Sequence, residues 1–227
     1  MQRFFDIIFS GIALVLLSPL LLPLMFILRV TGEGEIFFLQ SRVGRGGKHF
    51  KLYKFATMLK DSPNIGTGTV TVKNDPRVLP IGRFLRKTKI NELPQLINIF
   101  IGDMSVIGPR PQTKRCFDAY PESAQINIKK VRPGLSGIGS IIFRSEEDMM
   151  QVNKEPDKLY DDIIMPYKGR LESWYVQNNS VWNYHLLIAL TILVIFFGST
   201  RLIFQCFTSL PRPPKDLISF IASDYYE

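Results

Sequence analysis

"TKINELPQLINIFIGDMSVIGPRP", residues 88–111, is the stretch whose reading decides the fold. Leu93, Leu96, Ile97 and Phe100 recur at the i, i+3, i+4, i+7 spacing of one helical face. Asn91 is a good N-cap for that helix, Glu92 suits its positive dipole end, and Pro94 is tolerated in its first turn. Gly102 supplies the stop. Beyond it, "GPRP" sets Arg110 between two prolines, whose fixed φ stiffens the backbone that carries it. Helix starts also bind anions. The stretch reads either as helix punctuation or as a site for phosphate chemistry.

Upstream, "RFLRKTK" gathers Arg83, Arg86, Lys87 and Lys89. Charge runs are usually solvated faces, so alone this one says little. "IGTGTVTVKNDPRV" (65–78) is polar and turn-rich and reads as a loop. In "GEIFFLQSRVGRGGKHFKLYKF" (34–55) two apolar-aromatic runs flank "GRGG", whose glycines permit positive φ, which predicts a hairpin. Downstream, "VRPGLSGIGS" (131–140) lacks dinucleotide or P-loop spacing, and spacing alone favours a flexible loop. "RSEEDMMQVNKEPDKLYDDIIMPYK" (144–168) is charged and helical in parts, and "RLESWYVQNNS" (170–180) reads as a helix with an aromatic packing face ending at Asn178-Asn179.

At the N-terminus, Ile7 to Leu28 contains no charged residue. That length suits a membrane helix of roughly 20 apolar residues. A signal peptide fits poorly, because Asp6 follows Arg3 closely and no small-residue cleavage site follows the run. Pro19 sits near the middle and Pro23 one turn later; an interior proline removes a backbone bond and costs about 3 kcal/mol. Ser18 can cover a freed carbonyl. Arg3 and Arg29 flank the run, and seven basic residues against two acidic ones fall from Arg29 to Lys60. Positive flanks favour the cytoplasmic side. A helix that breaks at Ser18-Pro19 and returns to one face satisfies both flanks better than a straight span. A second apolar run, Leu186 to Gly198, spans about 20 Å as a helix, short of a bilayer core, and Arg201 interrupts it before "LIFQCF". It reads as an interfacial or partly sunken helix, with a second span or a buried core helix as alternatives.

With 227 residues the chain can bury a core of moderate size, and a formal charge of +8 calls for an anionic partner. Nucleic acid, anionic lipid and phosphorylated metabolites all fit that balance. Nucleic acid is discounted, because the aromatics fit core packing and no groove-reading or stacking motif is present. The two cysteines, Cys116 and Cys206, have neither metal nor disulfide spacing, which points to a reducing compartment. His49 and His185 lack ligand spacing and read as surface or packing residues.

Four ordered pieces, "RFFDIIFSGIALVLLSPLLL" (3–22), "QSRVGRGGKHFKLYKFATM" (40–58), "NDPRVLPIGRFLRKTKINELPQLINIFIGDMSVIGPRP" (74–111) and "KKVRPGLSGIGS" (129–140), together resemble the bacterial sugar transferases, the monotopic polyprenyl-phosphate phosphoglycosyl transferases. The resemblance runs from the N-terminus to about residue 190. It implies a mixed α/β (α+β), membrane-associated monotopic fold: a re-entrant helix hairpin over 1–30, a small globular catalytic domain with interfacial amphipathic helices over 31–185, and a membrane-associated segment over 186–227. It implies transfer of a phospho-sugar from a UDP-sugar donor to undecaprenyl phosphate, with release of UMP and use of Mg²⁺. Such proteins begin capsule, O-antigen or exopolysaccharide synthesis at the bacterial inner membrane, facing the cytoplasm, in contact with membrane lipid and ahead of downstream glycosyltransferases.

The same resemblance assigns the site. Asn91 and Glu92 occupy the catalytic and metal-binding positions. Arg86 and Arg110 match phosphate-binding positions, with Lys54, Arg132 and Glu172 as further candidates for the substrate site. Arginine grips phosphate oxygens in a fork, and cations offset the charge of the reacting phosphates. Three positions depart from the family pattern. The family reads Asp-Glu at Asn91-Glu92, and its Asp forms a covalent phospho-sugar intermediate; a neutral carboxamide is a poor nucleophile. Glu92 then acts in its place, or the lipid phosphate attacks directly, or the chain only binds lipid or nucleotide in support of a partner enzyme. Glu172 stands where an Asp is usual, and Ala56 where a basic residue is usual.

Overall fold

A computed structural model describes residues 1–64, 75–144, 146, 149, 156–198 and 200–221. The fold mixes helices with two small sheets and divides into two compact units. An N-terminal unit holds residues 5–41 and 51–102, and a C-terminal unit holds 1–4, 42–50 and 103 onward.

Helix α1 (Gln2–Val30) runs unbroken through Pro19 and Pro23. The expected interruption at Ser18-Pro19 is therefore not a gap in the helix. Pro19 has no N–H to give the Val15 carbonyl, and the Ser18 hydroxyl donates to that carbonyl instead, at 2.7 Å. The helix is long and apolar enough to cross a membrane. Val15, Leu16, Leu22 and Phe26 point outward, while Leu21, Leu24 and Leu28 are buried.

Those three leucines form one core with Phe55 of strand β2 (His49–Phe55) and Leu85 of helix α2 (Pro80–Lys87). Strand β1 (Phe37–Val43) pairs with β2 as the predicted hairpin, and Gly46 and Gly47 turn it with φ of 69° and 75°. Helix α2 is amphipathic: Leu85 faces in, and Arg83, Phe84 and Lys87 face out. Helix α3 (Gln95–Ile101) ends, as expected, at Gly102, with φ 104°. Its buried face differs from the predicted one. Asn98 turns inward and closes the β2 edge, accepting from the Tyr53 N–H at 2.9 Å and donating to the Lys51 carbonyl at 2.8 Å. Phe100 is 46% exposed, its ring against Gly11 of α1. The polar residue wins the inside because a strand edge there needs partners. Of the expected 65–78 loop, 65–74 lie outside the described residues, and Asp75 and Arg77 form a buried ion pair.

In the C-terminal unit, strand β3 (Ser105–Ile107) pairs in parallel with β4 (Gly134–Ser136), in the register Ser105↔Gly134 and Ile107↔Ser136. The glycine-rich segment thus holds a strand and the start of helix α6 (Ile138–Ile142), where a flexible loop was expected. A Cβ on Gly134 would lie 2.1 Å from the Gly108 nitrogen, and one on Gly137 2.2 Å from the Gly108 carbonyl oxygen. The glycines serve close backbone approach. Helices α4 (Lys114–Asp118), α5 (Glu122–Ile128) and α6 (Ile138–Ile142) follow. After a π-helical turn at Tyr160–Ile164, helix α7 (Met165–Gln177) packs on α5 and α6 and is capped by Asn178. The Tyr175 hydroxyl donates to the Ile107 carbonyl at 3.2 Å, tying α7 to β3. Of the expected 144–168 segment, 145, 147–148 and 150–155 are not described.

Helix α8 (Val181–Phe197) buries Tyr184, Leu187, Leu190 and Val194 and leaves Trp182, Ile195, Phe196 and Phe197 exposed. It rises about 25 Å, again short of a bilayer core. Beyond it, helices α9 (Arg201–Cys206) and α10 (Lys215–Ile221) return to the unit; Tyr167 donates to the Pro211 carbonyl and Trp174 to the Ser209 hydroxyl.

Candidate functional site

The chemistry-bearing residues fall into two groups, one in each unit. In the N-terminal unit, Lys89 takes a left-handed conformation, φ 59°, alone among the described non-glycine residues. The chain then tightens into a 3₁₀ turn, Ile90–Glu92, against which α2 packs. The Glu92 N–H bonds the Lys89 carbonyl at 3.0 Å, and Pro94 takes the cap position of α3. Asn91 is therefore not the helix cap that its position suggested. Its side chain is buried, 8% exposed, and its Oδ1 has no hydrogen-bond partner among the described residues. An orphaned buried carbonyl is costly and points to an absent partner.

Next to it, the Lys54 ammonium on β2 lies 3.1 Å from Glu92 Oε1, both side chains about four-fifths buried. Arg86, on the last turn of α2, directs one nitrogen to the Met58 sulfur at 3.6 Å. This group thus collects four of the predicted site residues: Lys54, Arg86, Asn91 and Glu92. Asn91 and Glu92 offer oxygen donors of the kind Mg²⁺ takes, although no group of three or more acidic, His or Cys ligands occurs among the described residues. One or two carboxylates completed by substrate phosphates is the usual Mg²⁺ arrangement, so the donor set fits such a site.

The second group is built around the Pro109-Arg110-Pro111 turn. Four polar backbone groups hold it. The Gly134 N–H donates to the Pro109 carbonyl at 2.8 Å, and the Arg110 N–H donates to the Glu172 carboxylate. Arg42 donates to the Pro111 carbonyl at 3.2 Å, and the Val43 N–H to the Gln112 carbonyl at 2.9 Å. Arg110 is exposed at the crown of this turn. Arg132, half-buried, precedes the Pro133-Gly134 pair that bonds the turn, so two predicted arginines share one backbone scaffold.

Glu172 is only 1% exposed, so its carboxyl lies inside the unit rather than on its surface. Burial pushes its carboxyl up to about 8, against the opposing pull of the Arg110 N–H and the Lys168 and Arg110 charges. Lys168, one turn earlier on α7, is also buried; its ammonium pairs with Glu146 at 2.6 Å and lies over the Phe143 ring. Burial lowers its pKa, and Glu146 opposes that shift. Sequence reasoning missed Lys168, Glu146 and Arg42. The i, i+4 spacing of Lys168 and Glu172 was the available signal for the first; the other two are set by tertiary packing.

A model of bacterial sugar transferases matches residues 1–198. The chain belongs to the bacterial sugar transferase family. Within this sugar transferase group it is 32% identical over 201 residues to a UDP-N-acetylgalactosamine-undecaprenyl-phosphate N-acetylgalactosaminephosphotransferase of Aeromonas hydrophila, covering 87% of this chain and 44% of that protein. It is 33% identical over 198 residues to an undecaprenyl-phosphate galactose phosphotransferase of Salmonella typhimurium, 81% and 38% respectively. It is 36% identical over 205 residues to the exopolysaccharide production protein ExoY of Rhizobium meliloti, 84% and 83%. The chain thus spans less than half the length of the first two relatives and most of the third.

Proposed function

We propose that this chain transfers a phospho-sugar from a UDP-sugar to undecaprenyl phosphate, releasing UMP and initiating a cell-envelope glycan. The observation that carries the reading is the fixed Pro-Arg-Pro turn. A guanidinium on a backbone tethered at four points is pre-organised to fork onto a diphosphate, and Arg132 adds a second cation on the same scaffold. Relatives whose names specify undecaprenyl-phosphate sugar phosphotransfer support the donor and acceptor classes.

An oxygen of the lipid phosphate attacks the sugar-bearing phosphorus of the donor. The bond from that phosphorus to the bridging oxygen breaks, and UMP leaves with the oxygen and its electron pair. Asn91 cannot supply the attacking anion. Glu92, paired with Lys54 at 3.1 Å, suits a fixed ligand role better than attack. Glu92 with the Asn91 carbonyl would hold Mg²⁺, which supplies charge neutralisation at the phosphates. The lipid phosphate is already anionic near neutral pH and needs positioning more than activation.

The reading extends to topology. Arg3 and Arg29 flank the apolar run of α1, and positive flanks favour the cytoplasmic side. We place both ends on the cytoplasmic face of the inner membrane, with α1 bent in the bilayer at its prolines. Residues 1–30 are then a bent, re-entrant membrane helix, 31–185 the catalytic part, and 186–227 a second membrane contact through the outer face of α8.

The test is UMP release by the pure protein with a panel of UDP-sugars and undecaprenyl phosphate. We expect release only with both substrates, its loss in Glu92→Gln, and no mass adduct on donor alone. An adduct mapping to Glu92 would replace direct attack with a covalent route. Silence across the panel, with UDP-sugar binding intact, would leave a non-catalytic binding protein as the correct account.

A further inference from the structure

We propose that Glu172 is a positioning residue that presents Arg110 to the donor diphosphate by holding the Arg110 peptide N–H from behind the turn. The inference rests on the reading that Arg110 binds that diphosphate.

The geometry is specific to a long carboxylate at this position. Glu172 Oε2 has no hydrogen-bond partner among the described residues, so Oε1 receives the Arg110 N–H. A Cβ on Gly139 would lie 2.3 Å from Oε1, so the bare backbone at the start of α6 is what admits the carboxylate. The helix bearing Glu172 is itself anchored to the strand leading into the turn through the Tyr175–Ile107 bond. Aspartate here keeps the carboxyl group but loses the reach of one methylene. Glutamine keeps the length and a carbonyl oxygen for the N–H. Length and acceptor, rather than charge alone, are what the site uses. The other three tethers act on carbonyls, at Pro109, Pro111 and Gln112; Glu172 holds the peptide N–H of the arginine itself.

The experiment is a double-mutant cycle read by calorimetric binding of UDP-sugar to the full chain in detergent. Arg110→Ala and Glu172→Ala should each weaken binding at least about tenfold, a change of about 1.4 kcal/mol. The double variant should bind no more weakly than Arg110→Ala, because Glu172 acts through Arg110. Glu172→Gln should stay within about twofold of the wild type, and Glu172→Asp should fall towards the alanine value. Multiplying losses in the cycle would make Glu172 independent of Arg110 and overturn the inference. If Glu172→Ala does not fold, the Gln and Asp variants decide: normal binding in Asp with loss in Gln overturns it equally. Unchanged binding in Arg110→Ala would instead remove the diphosphate role of Arg110, and this inference with it.

Discussion

Glu172→Gln should flatten the pH dependence of stability. In the folded protein the carboxyl sits near 8, against 4.5 for an ordinary glutamate, because burial penalises its charge. Between those values the folded chain keeps a proton that the unfolded chain releases. Stability from this source is therefore intact below about pH 4.5 and is lost as pH rises through 8. From pH 6 to pH 8 the loss is about 2 kcal/mol at 1.36 kcal/mol per pKa unit. For a chain of this size that lowers the melting temperature by about 4–8 °C. A buried amide does not titrate, so the variant lacks this slope. The neighbouring Lys168, Glu146, Arg110 and Tyr120 are unchanged, and the difference between the two profiles isolates residue 172. Thermal melts of both proteins in one detergent across pH 6–8 make the measurement. Parallel profiles would show that Glu172 does not carry a proton in the folded protein and would refute the buried, proton-holding cluster.

Asn91→Asp should make a phospho-sugar adduct detectable by intact mass on donor alone, since it places a carboxylate beside Glu92. Arg110→Lys keeps the charge but loses the fork, and UMP release should fall at least about tenfold, at constant melting temperature. Gly134→Ala puts a methyl 2.1 Å from the Gly108 nitrogen and should destabilise by more than about 3 kcal/mol, seen as loss of the cooperative melt. Single cysteines at Gln2 and Thr31, with Cys116 and Cys206 replaced by serine, should both resist a periplasmic thiol reagent in intact cells; labelling of one alone would establish a straight span.

The elements that local chemistry specifies were legible in the sequence. The hairpin follows from two aromatic runs around Gly46-Gly47, and α3 from its apolar spacing and Gly102. The face of α3 was not legible, because Asn98 is drawn inside by the open edge of β2, a partner distant in sequence. The same limit hid the role of the 131–140 glycines, which depend on Gly108 lying alongside. Asn91 was misread as a cap because its side chain favours that position, whereas the left-handed Lys89 starts a tighter turn first. Within the site, Arg110 was marked by its flanking prolines. Lys168 was marked only by its i, i+4 spacing to Glu172, Glu146 carries no local mark, and their pairing exists only once α7 has packed.

Helix α1 supplies three of the five buried residues of one core cluster of the N-terminal unit, Leu21, Leu24 and Leu28, beside Phe55 and Leu85. It is consequently not a detachable anchor. Trimming residues 1–30 in pursuit of a water-soluble fragment would strip one wall from that core and leave Phe55 and Leu85 bare. Such a fragment is expected to aggregate rather than remain as a catalytic domain freed from its tether. Detergent or nanodisc preparations of the full chain are the form in which Lys54 and Glu92 can be studied on an intact support.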